Sequence, residues 1–187
     1  MRGLIVFLSL MITFSFAQAR EVANVELPEQ LNLDDQSTPL VLNGAGIRKK
    51  FFFKVYLASL YLPQRVSDAN SILAGNQANR VRMDMLHSEV SKKKLTAAWN
   101  DGFEANHSAE ELAPLKGRIE AFNALFETLV AGDRVELDYI PQTGTRVTIN
   151  DVVKGVIPGE DFNRALLRIW LGEAPVTKSL KGELLGK

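Results

Sequence analysis

The sequence predicts a single α+β domain, on three observations. Strand patterns come first, helical patterns occupy the middle, and a meander of strands precedes the terminal helices, an order that argues against an alternating parallel sheet. Leu40 to Leu62 contains a run so apolar that a strand made from it needs cover on both faces. The 187 residues include no repeat, low-complexity tract or long linker, and they suffice for one core.

The first segment stands apart from that domain. Met1-Arg2 supplies a short basic start, Leu4 to Phe16 is almost continuously apolar, and Ala17-Gln18-Ala19 has the small-x-small pattern of a signal-peptidase site. Residues 1–19 therefore read as a cleaved export signal, with residues 20–187 as the mature domain in the periplasm or outside the cell. A membrane anchor is the competing reading, but the apolar run falls short of the roughly 20 residues a spanning helix needs. No later segment is long and apolar enough to span a bilayer.

Residues 21–33 alternate enough for one or two edge strands, broken at Pro28. Leu40 to Leu42 starts a strand expected to end in a sharp turn at Gly44-Ala45-Gly46. Phe51 to Leu62 is the longest strand. Ser67 fits an N-cap for a short helix over 68–73, stopped by Gly75. Val81, Met83 and Met85 alternate as a strand. Val90, Leu95, Ala98 and Trp99 mark the apolar side of a helix over 91–105, with Lys92 to Lys94 on its wet side. Ser108-Ala109-Glu110-Glu111 is a capping-box pattern for a helix, interrupted or entered at Pro114, that carries Leu115, Ile119, Phe122, Leu125, Phe126 and Leu129. Strands return over 134–140, 145–150 and 152–157, with Gly144 and Asn150-Asp151 as turns. A helix over 161–171 ends at Gly172. Ala174-Pro175 opens a last helix with Val176, Leu180 and Leu184 on one side.

Composition removes several classes of function. Lys and Arg together number 22, as do Asp and Glu, so the formal net charge is zero, and losing Arg2 with the leader moves it to −1. Without a basic stripe a nucleic-acid partner has no electrostatic basis. Cysteine is absent, which excludes disulfides, thiolate nucleophiles and thiolate metal sites. His87 and His107 fall on different elements without a pattern of ligands, so no metal is expected. No G-x-S-x-G or H-E-x-x-H motif occurs. Gly44-x-Gly46 lacks the third glycine and the helix of a dinucleotide loop, so no cofactor is expected. Asn106-His107-Ser108 is a glycosylation sequon, relevant only in a eukaryotic secretory pathway.

What remains is the segment from Arg48 to Leu62. Two readings compete for Arg48: a surface arginine beside Lys49 and Lys50, or a planar donor that clamps a carboxylate through two parallel hydrogen bonds. Alternation places Lys54 and Tyr56 on one face of the strand with Phe52, Ala58, Leu60 and Leu62. A lysine there ordinarily snorkels to an edge, and a buried tyrosine ordinarily spends its hydroxyl on a backbone carbonyl. Polar groups converging on an apolar cavity are also the usual composition of a small-molecule site.

These residues carry a resemblance. NGAGIRKKFFFKVYLASLYLP (43–63), HSEVSKKKLTAAWNDGFEAN (87–106) and FNRALLRIWLGEAPVTKSLKGELLG (162–186) resemble the chalcone isomerase-like superfamily over nearly the whole mature chain. The exported, cysteine-free form looks like its bacterial branch. The resemblance implies an open-faced β-sandwich, a large antiparallel sheet covered on one side by helices with a ligand cleft between. In the true isomerases an arginine after the Gly-rich turn stabilises a phenolate, and Arg48 matches it. Their catalytic threonine falls at Tyr56, their water-organising tyrosine and asparagine at about Val90 and Ala97, and a second threonine at about Ile169. Isomerase activity is therefore not expected, because the hydrogen-bond network around the oxyanion is gone. Tyrosine at position 56 instead resembles the fatty-acid-binding members, in which the arginine and this tyrosine hold a carboxylate. One departure is a shorter segment between Arg48 and the long strand.

The expectation is thus a non-catalytic periplasmic protein that binds an amphiphilic carboxylate such as a fatty acid. Arg48 and Tyr56 would hold the head, helped by Lys54, and Phe52, Ala58, Val90, Trp99, Phe103, Phe126, Ile169 and Trp170 would form the wall. The alternatives are a cell-envelope interaction protein with a collapsed cleft and, third, an isomerase of a small phenolic substrate.

Overall fold

Alternating apolar strands build a seven-stranded antiparallel sheet at the centre of the computed structural model, which describes residues 19–33 and 38–187. All of the expected leader except Ala19 lies outside the described residues. Strands β1 (Ala19–Val22) and β2 (Val25–Pro28) form a hairpin of their own, turning at Ala23-Asn24 with both residues at positive φ. The large sheet takes β3 (Gln30–Leu31), β4 (Leu40–Lys50), β5 (Phe53–Leu62) and, after α1 (Ala69–Ala74), β6 (Asn79–Met85). A two-residue strand, β7 (Glu89–Val90), leads into α2 (Lys92–Asn106), α3 (Ala109–Leu112) and α4 (Lys116–Ala124). β8 (Leu129–Val130) pairs with β7. The meander β9 (Arg134–Ile140), β10 (Gly144–Ile149) and β11 (Val152–Ile157) completes the sheet, followed by α5 (Glu160–Leu171) and α6 (Lys178–Leu184). The sheet order is β11-β10-β9-β6-β5-β4-β3.

Local signals account for many boundaries. Ser108 and Glu111 form the reciprocal capping box. Asn150 and Asp151, both at positive φ, make the two-residue β10–β11 turn. Other boundaries differ from the sequence expectation. The cap of α1 is Asp68, whose carboxylate accepts from the Ser71 amide at 2.8 Å, and not Ser67. The last helix begins after Thr177, whose hydroxyl caps it. The helical run ends at Ala124, and Leu129 belongs to a strand.

Gly44 and Gly46 are strand residues and not a turn. A Cβ at Gly44 would meet the carbonyl oxygens of Glu183 and Leu184, and one at Gly46 would meet the Glu183 side chain. The glycines therefore let α6 lie directly on β4. Between Leu42 and Gly44 the pairing shifts at Asn43, a bulge whose side chain donates to the Val66 and Leu184 carbonyls and accepts from the Val66 amide.

Both faces of the sheet are covered where β5 crosses it. On the helix face Tyr56, Ala58, Leu60 and Leu62 join the main core with Val81, Met83 and Met85 of β6 and with Trp99, Phe103, Phe162, Ile169 and Trp170 of α2 and α5. An aromatic cluster stiffens this core: Trp99 lies 5.4 Å from Phe122, 5.6 Å from Phe126 and 5.8 Å from Trp170 between ring centroids. On the opposite face Leu57 and Tyr61 pack with Leu27, Leu33, Leu40 and Leu42. Beside that smaller core runs a buried ion network. Arg80 donates to Asp138 (2.5 and 2.8 Å) and Glu136 (2.8 Å), Arg146 donates to Asp138 (3.2 Å), and Arg82 donates twice to Asp84 (2.8 Å).

Candidate functional site

β4 and β5 are joined by a two-residue turn, Phe51-Phe52, so Arg48 reaches Tyr56 by direct cross-strand pairing. Opposed residues of an antiparallel pair have Cβ atoms roughly 4.5–5.5 Å apart and share a face. The short link between Arg48 and the long strand is thus what brings the two together.

A bulge at Val55 sets what lies around this pair. Arg48 opposes Tyr56, but the next residue, Lys49, opposes Lys54, leaving Val55 as the extra residue of β5. The Val55 carbonyl accepts from the Leu86 and His87 amides at 3.0 and 3.1 Å. The extra residue reverses the alternation, so Lys54 turns away from the Tyr56 face and Lys50 and Phe53 turn toward it. This corrects the expectation that Lys54 and Tyr56 share a face.

On the helix side of this pair lies a cleft of about 500 Å³. Its inner wall is Tyr56, Met83, Met85, Leu95, Trp99 and Ile169, all buried, with Val90, Ala97 and Ala98 beside them. Its rim carries Arg48, Lys50, His87, Glu89, Lys94 and Asp101, together with Phe51 and Phe53 of the hairpin. The cleft is open, so the large residues Tyr56 and Ile169 form its wall without filling it.

Tyr56 is 7% exposed, and its hydroxyl accepts a hydrogen bond from Trp170 Nε1 at 3.0 Å. Its own proton has no acceptor among the described residues. Burial pushes the phenol up to about 12, against the opposing pull of the Arg48 charge and of the Trp170 hydrogen bond. The hydroxyl is therefore a neutral donor near Arg48. The Arg48 guanidinium makes one hydrogen bond, to the Lys49 carbonyl at 3.3 Å, and no ion pair among the described residues. A cation and a neutral O–H donor on one face of a strand pair can together hold a carboxylate.

The remaining candidates distribute as follows. Val90, Trp99 and Ile169 line the cleft, as does Ala97. Phe52 does not: it caps the hairpin and is 98% exposed. Lys54 is exposed on the other side of the bulge. Ala58, Phe103, Phe126 and Trp170 are core residues one layer away from the cleft, held there by the aromatic cluster and the α2–α5 packing. Reading from residues missed Lys50, Phe53, Val55, Met83, Met85, His87 and Lys94. The alternation of Met83 and Met85 put both on one face, but their proximity to Tyr56 comes from the register Tyr56↔Met85, which no local pattern encodes. His87 packs edge-on against Phe53, with ring centroids 5.5 Å apart. His107 instead donates from Nδ1 to the Phe103 carbonyl at 2.9 Å.

Among curated protein sequences none matches this chain. Among solved structures, a fatty-acid binding protein of Arabidopsis thaliana (AtFAP1) superposes with a TM-score of 0.67 at 14% identity, covering 90% of this chain and 96% of that one. The likeness establishes the fold, a curled antiparallel sheet with helices packed over it. A family model described as chalcone isomerase-like matches residues 19–186, nearly the whole of the described chain and all three segments that carried the resemblance. By that match the chain belongs to the chalcone isomerase-like family.

Proposed function

We propose that this protein is a non-catalytic binding protein for an amphiphilic carboxylate, in the simplest case a fatty acid. The observation that carries the proposal is the Arg48–Tyr56 pair at the junction of a polar rim and an apolar cleft. Arg48 supplies charge and Tyr56 supplies an uncommitted proton, so both partners of a carboxylate head are in place before the ligand arrives. The inner wall then takes the alkyl chain, whose transfer from water contributes about 0.8 kcal/mol per methylene.

Two further points support this reading. The positions that the resemblance assigns to catalytic polar groups of the isomerases are Tyr56, Val90, Ala97 and Ile169, and all four line this cleft. Apolar side chains at three of those four positions leave the hydrogen-bond network of the isomerase reaction without its donors and acceptors there. The structurally similar plant protein is named for fatty-acid binding, and this chain shares its overall fold. The apolar leader pattern of residues 1–19 would place the activity in the periplasm or outside the cell.

The test is direct. Purified protein is extracted with organic solvent and the extract analysed by mass spectrometry, and the delipidated protein is titrated with fatty acids of increasing chain length by calorimetry. Near-stoichiometric recovery of a carboxylate amphiphile and saturable binding are expected. Empty extracts combined with flat titrations would falsify the proposal.

A further inference from the structure

The β4–β5 hairpin carries features that the fold itself does not use. At its tip Phe51, Phe52 and Phe53 are 85%, 98% and 61% exposed. Phe51 stands at φ 55, a left-handed turn position that glycine, asparagine or aspartate fills at lower cost. Just behind the tip Lys49 and Lys54 oppose each other across the strands, a like-charge pair that costs stability. Among the described residues neither they nor Lys50 make an ion pair. A hairpin selected for stability alone would carry neither the aromatic tip nor the lysine pair.

The arrangement has a direction. Apolar rings are outermost, and Arg48, Lys49, Lys50 and Lys54 form a collar immediately behind them. Rings that enter the acyl boundary with cations at headgroup level are the arrangement of an interfacial anchor, stabilised by buried apolar area and by attraction to anionic lipid. Phe51, Phe53 and Lys50 also line the cleft, so the anchor is the lip of its mouth. Among the described residues the carboxylates on that rim, Glu89 and Asp101, are outnumbered by Arg48, Lys50 and Lys94 there and by Lys49 and Lys54 outside it.

We propose that the Phe51–Phe53 hairpin tip inserts into an anionic phospholipid surface, with Lys49, Lys50 and Lys54 on the headgroups, and holds the mouth of the cleft against the bilayer. The docking stands on the hairpin alone. Its consequence, passage of an amphiphile between membrane and cleft without crossing bulk water, rests on the binding function proposed above.

The experiment places a reporter at the tip. Phe52→Trp in the otherwise intact chain is mixed with vesicles of phosphatidylcholine alone or of equimolar phosphatidylcholine and phosphatidylglycerol, with or without lipids spin-labelled near the headgroup end of the acyl chain. The native Trp99 and Trp170 are buried, so the difference between the emission of the variant and that of the parent under the same conditions reads the tip. A blue shift quenched by the labelled lipids is expected, with partitioning at least about tenfold stronger into the anionic vesicles. Adding Phe51→Ser, or Lys49→Gln with Lys50→Gln and Lys54→Gln, should lower that partitioning by about tenfold with an unchanged circular dichroism spectrum. Unshifted, unquenched emission with both vesicle types overturns the inference. So does equal partitioning into both, which removes the lysines from it, and so does a blue shift without vesicles that grows with protein concentration, which makes the occupant a second copy of the chain. Fatty-acid affinity of a Phe52→Ser protein, changed at the tip residue that does not line the cleft, should stay within about twofold of the parent when titrated without vesicles. A failure of docking is thereby separated from a failure of binding.

Discussion

Arg48 and Tyr56 face each other directly across β4 and β5, and the Tyr56 hydroxyl is at the same time the acceptor for Trp170 Nε1. The pair proposed to bind the carboxylate is therefore fastened on one side to the sheet and on the other to α5. Because Trp170 occupies the acceptor side of the phenol, the O–H points its donor capacity elsewhere, and the neighbouring cation makes a carboxylate the fitting partner.

Replacing Arg48 separates binding from folding. The guanidinium makes no ion pair among the described residues, and its one hydrogen bond is to a neighbouring carbonyl. Arg48→Gln should thus leave the thermal midpoint nearly unchanged while weakening fatty-acid affinity by about tenfold to a hundredfold, the range of a hydrogen bond to a charged group. Calorimetric titration beside a thermal melt checks both halves. Unchanged affinity would remove Arg48 from the site.

Tyr56→Phe has a different signature, because it removes a donor from the cleft and an acceptor from Trp170. The buried indole N–H loses its partner, at a cost of about 1–3 kcal/mol. The pH dependence carries the same information. Folded Tyr56 keeps its proton to about 12 because of burial, whereas an unfolded tyrosine releases its proton near 10. Between those values the unfolded chain binds fewer protons than the folded one, so stability present below about pH 10 falls as pH rises toward 12. At about 1.4 kcal/mol per unit the loss approaches ~3 kcal/mol. Urea unfolding at a series of alkaline pH values should give a shallower decline for Tyr56→Phe than for the parent.

Gly44→Ala tests why the glycines of β4 are there. A methyl group would meet two backbone carbonyl oxygens of α6, which cannot swing aside as a side chain can. A destabilisation of about 1–3 kcal/mol is expected, with early loss of α6 protection in hydrogen exchange. A neutral effect would mean that α6 does not seat on β4 as described.

That position also marks the limit of what could be read from the chain. Elements with local causes were legible: the Ser108–Glu111 capping box, the Asn150-Asp151 turn, the amphipathic α5, and the succession of strands and helices that makes the fold α+β. Gly44-Ala45-Gly46 looked like a turn because the usual local reason for two glycines is positive φ. Their actual reason is α6, which arrives from the far end of the sequence. The site divides in the same way. Arg48 and Tyr56 were legible as residue types, but the Val55 bulge that turns Lys54 out and Lys50 in follows from strand register. Phe52 reads as wall in an alternating pattern and is instead the hairpin tip, since two residues must be spent on reversing the chain.

Asp138→Asn tests the ion network on the opposite face. Asp138 is fully buried and accepts from both Arg80 and Arg146. Removing its charge leaves Arg80 with Glu136 as its remaining carboxylate, and breaking a buried pair from one side costs about 3–5 kcal/mol. The loss should appear as a lowered urea midpoint with unchanged slope, and fatty-acid affinity should hold, because the network and the cleft lie on opposite faces of the sheet.

Ile169→Ala addresses the length of the cleft. Ile169 lines it from α5 and fills the space above Gly102 of α2, where a Cβ would touch its side chain. Truncation removes three carbons from a buried position and should cost about 2–4 kcal/mol of stability, since α2 and α5 cannot fully close the gap. The same vacated volume continues the apolar wall beyond Tyr56, so the preferred ligand should shift toward longer chains even as the empty protein weakens. A long-chain ligand that fills the gap restores part of the lost packing, and the thermal midpoint of the variant should rise more on adding it than that of the parent does. Calorimetric titration across a chain-length series reads the shift. An unchanged length preference would place the alkyl tail elsewhere than against α5.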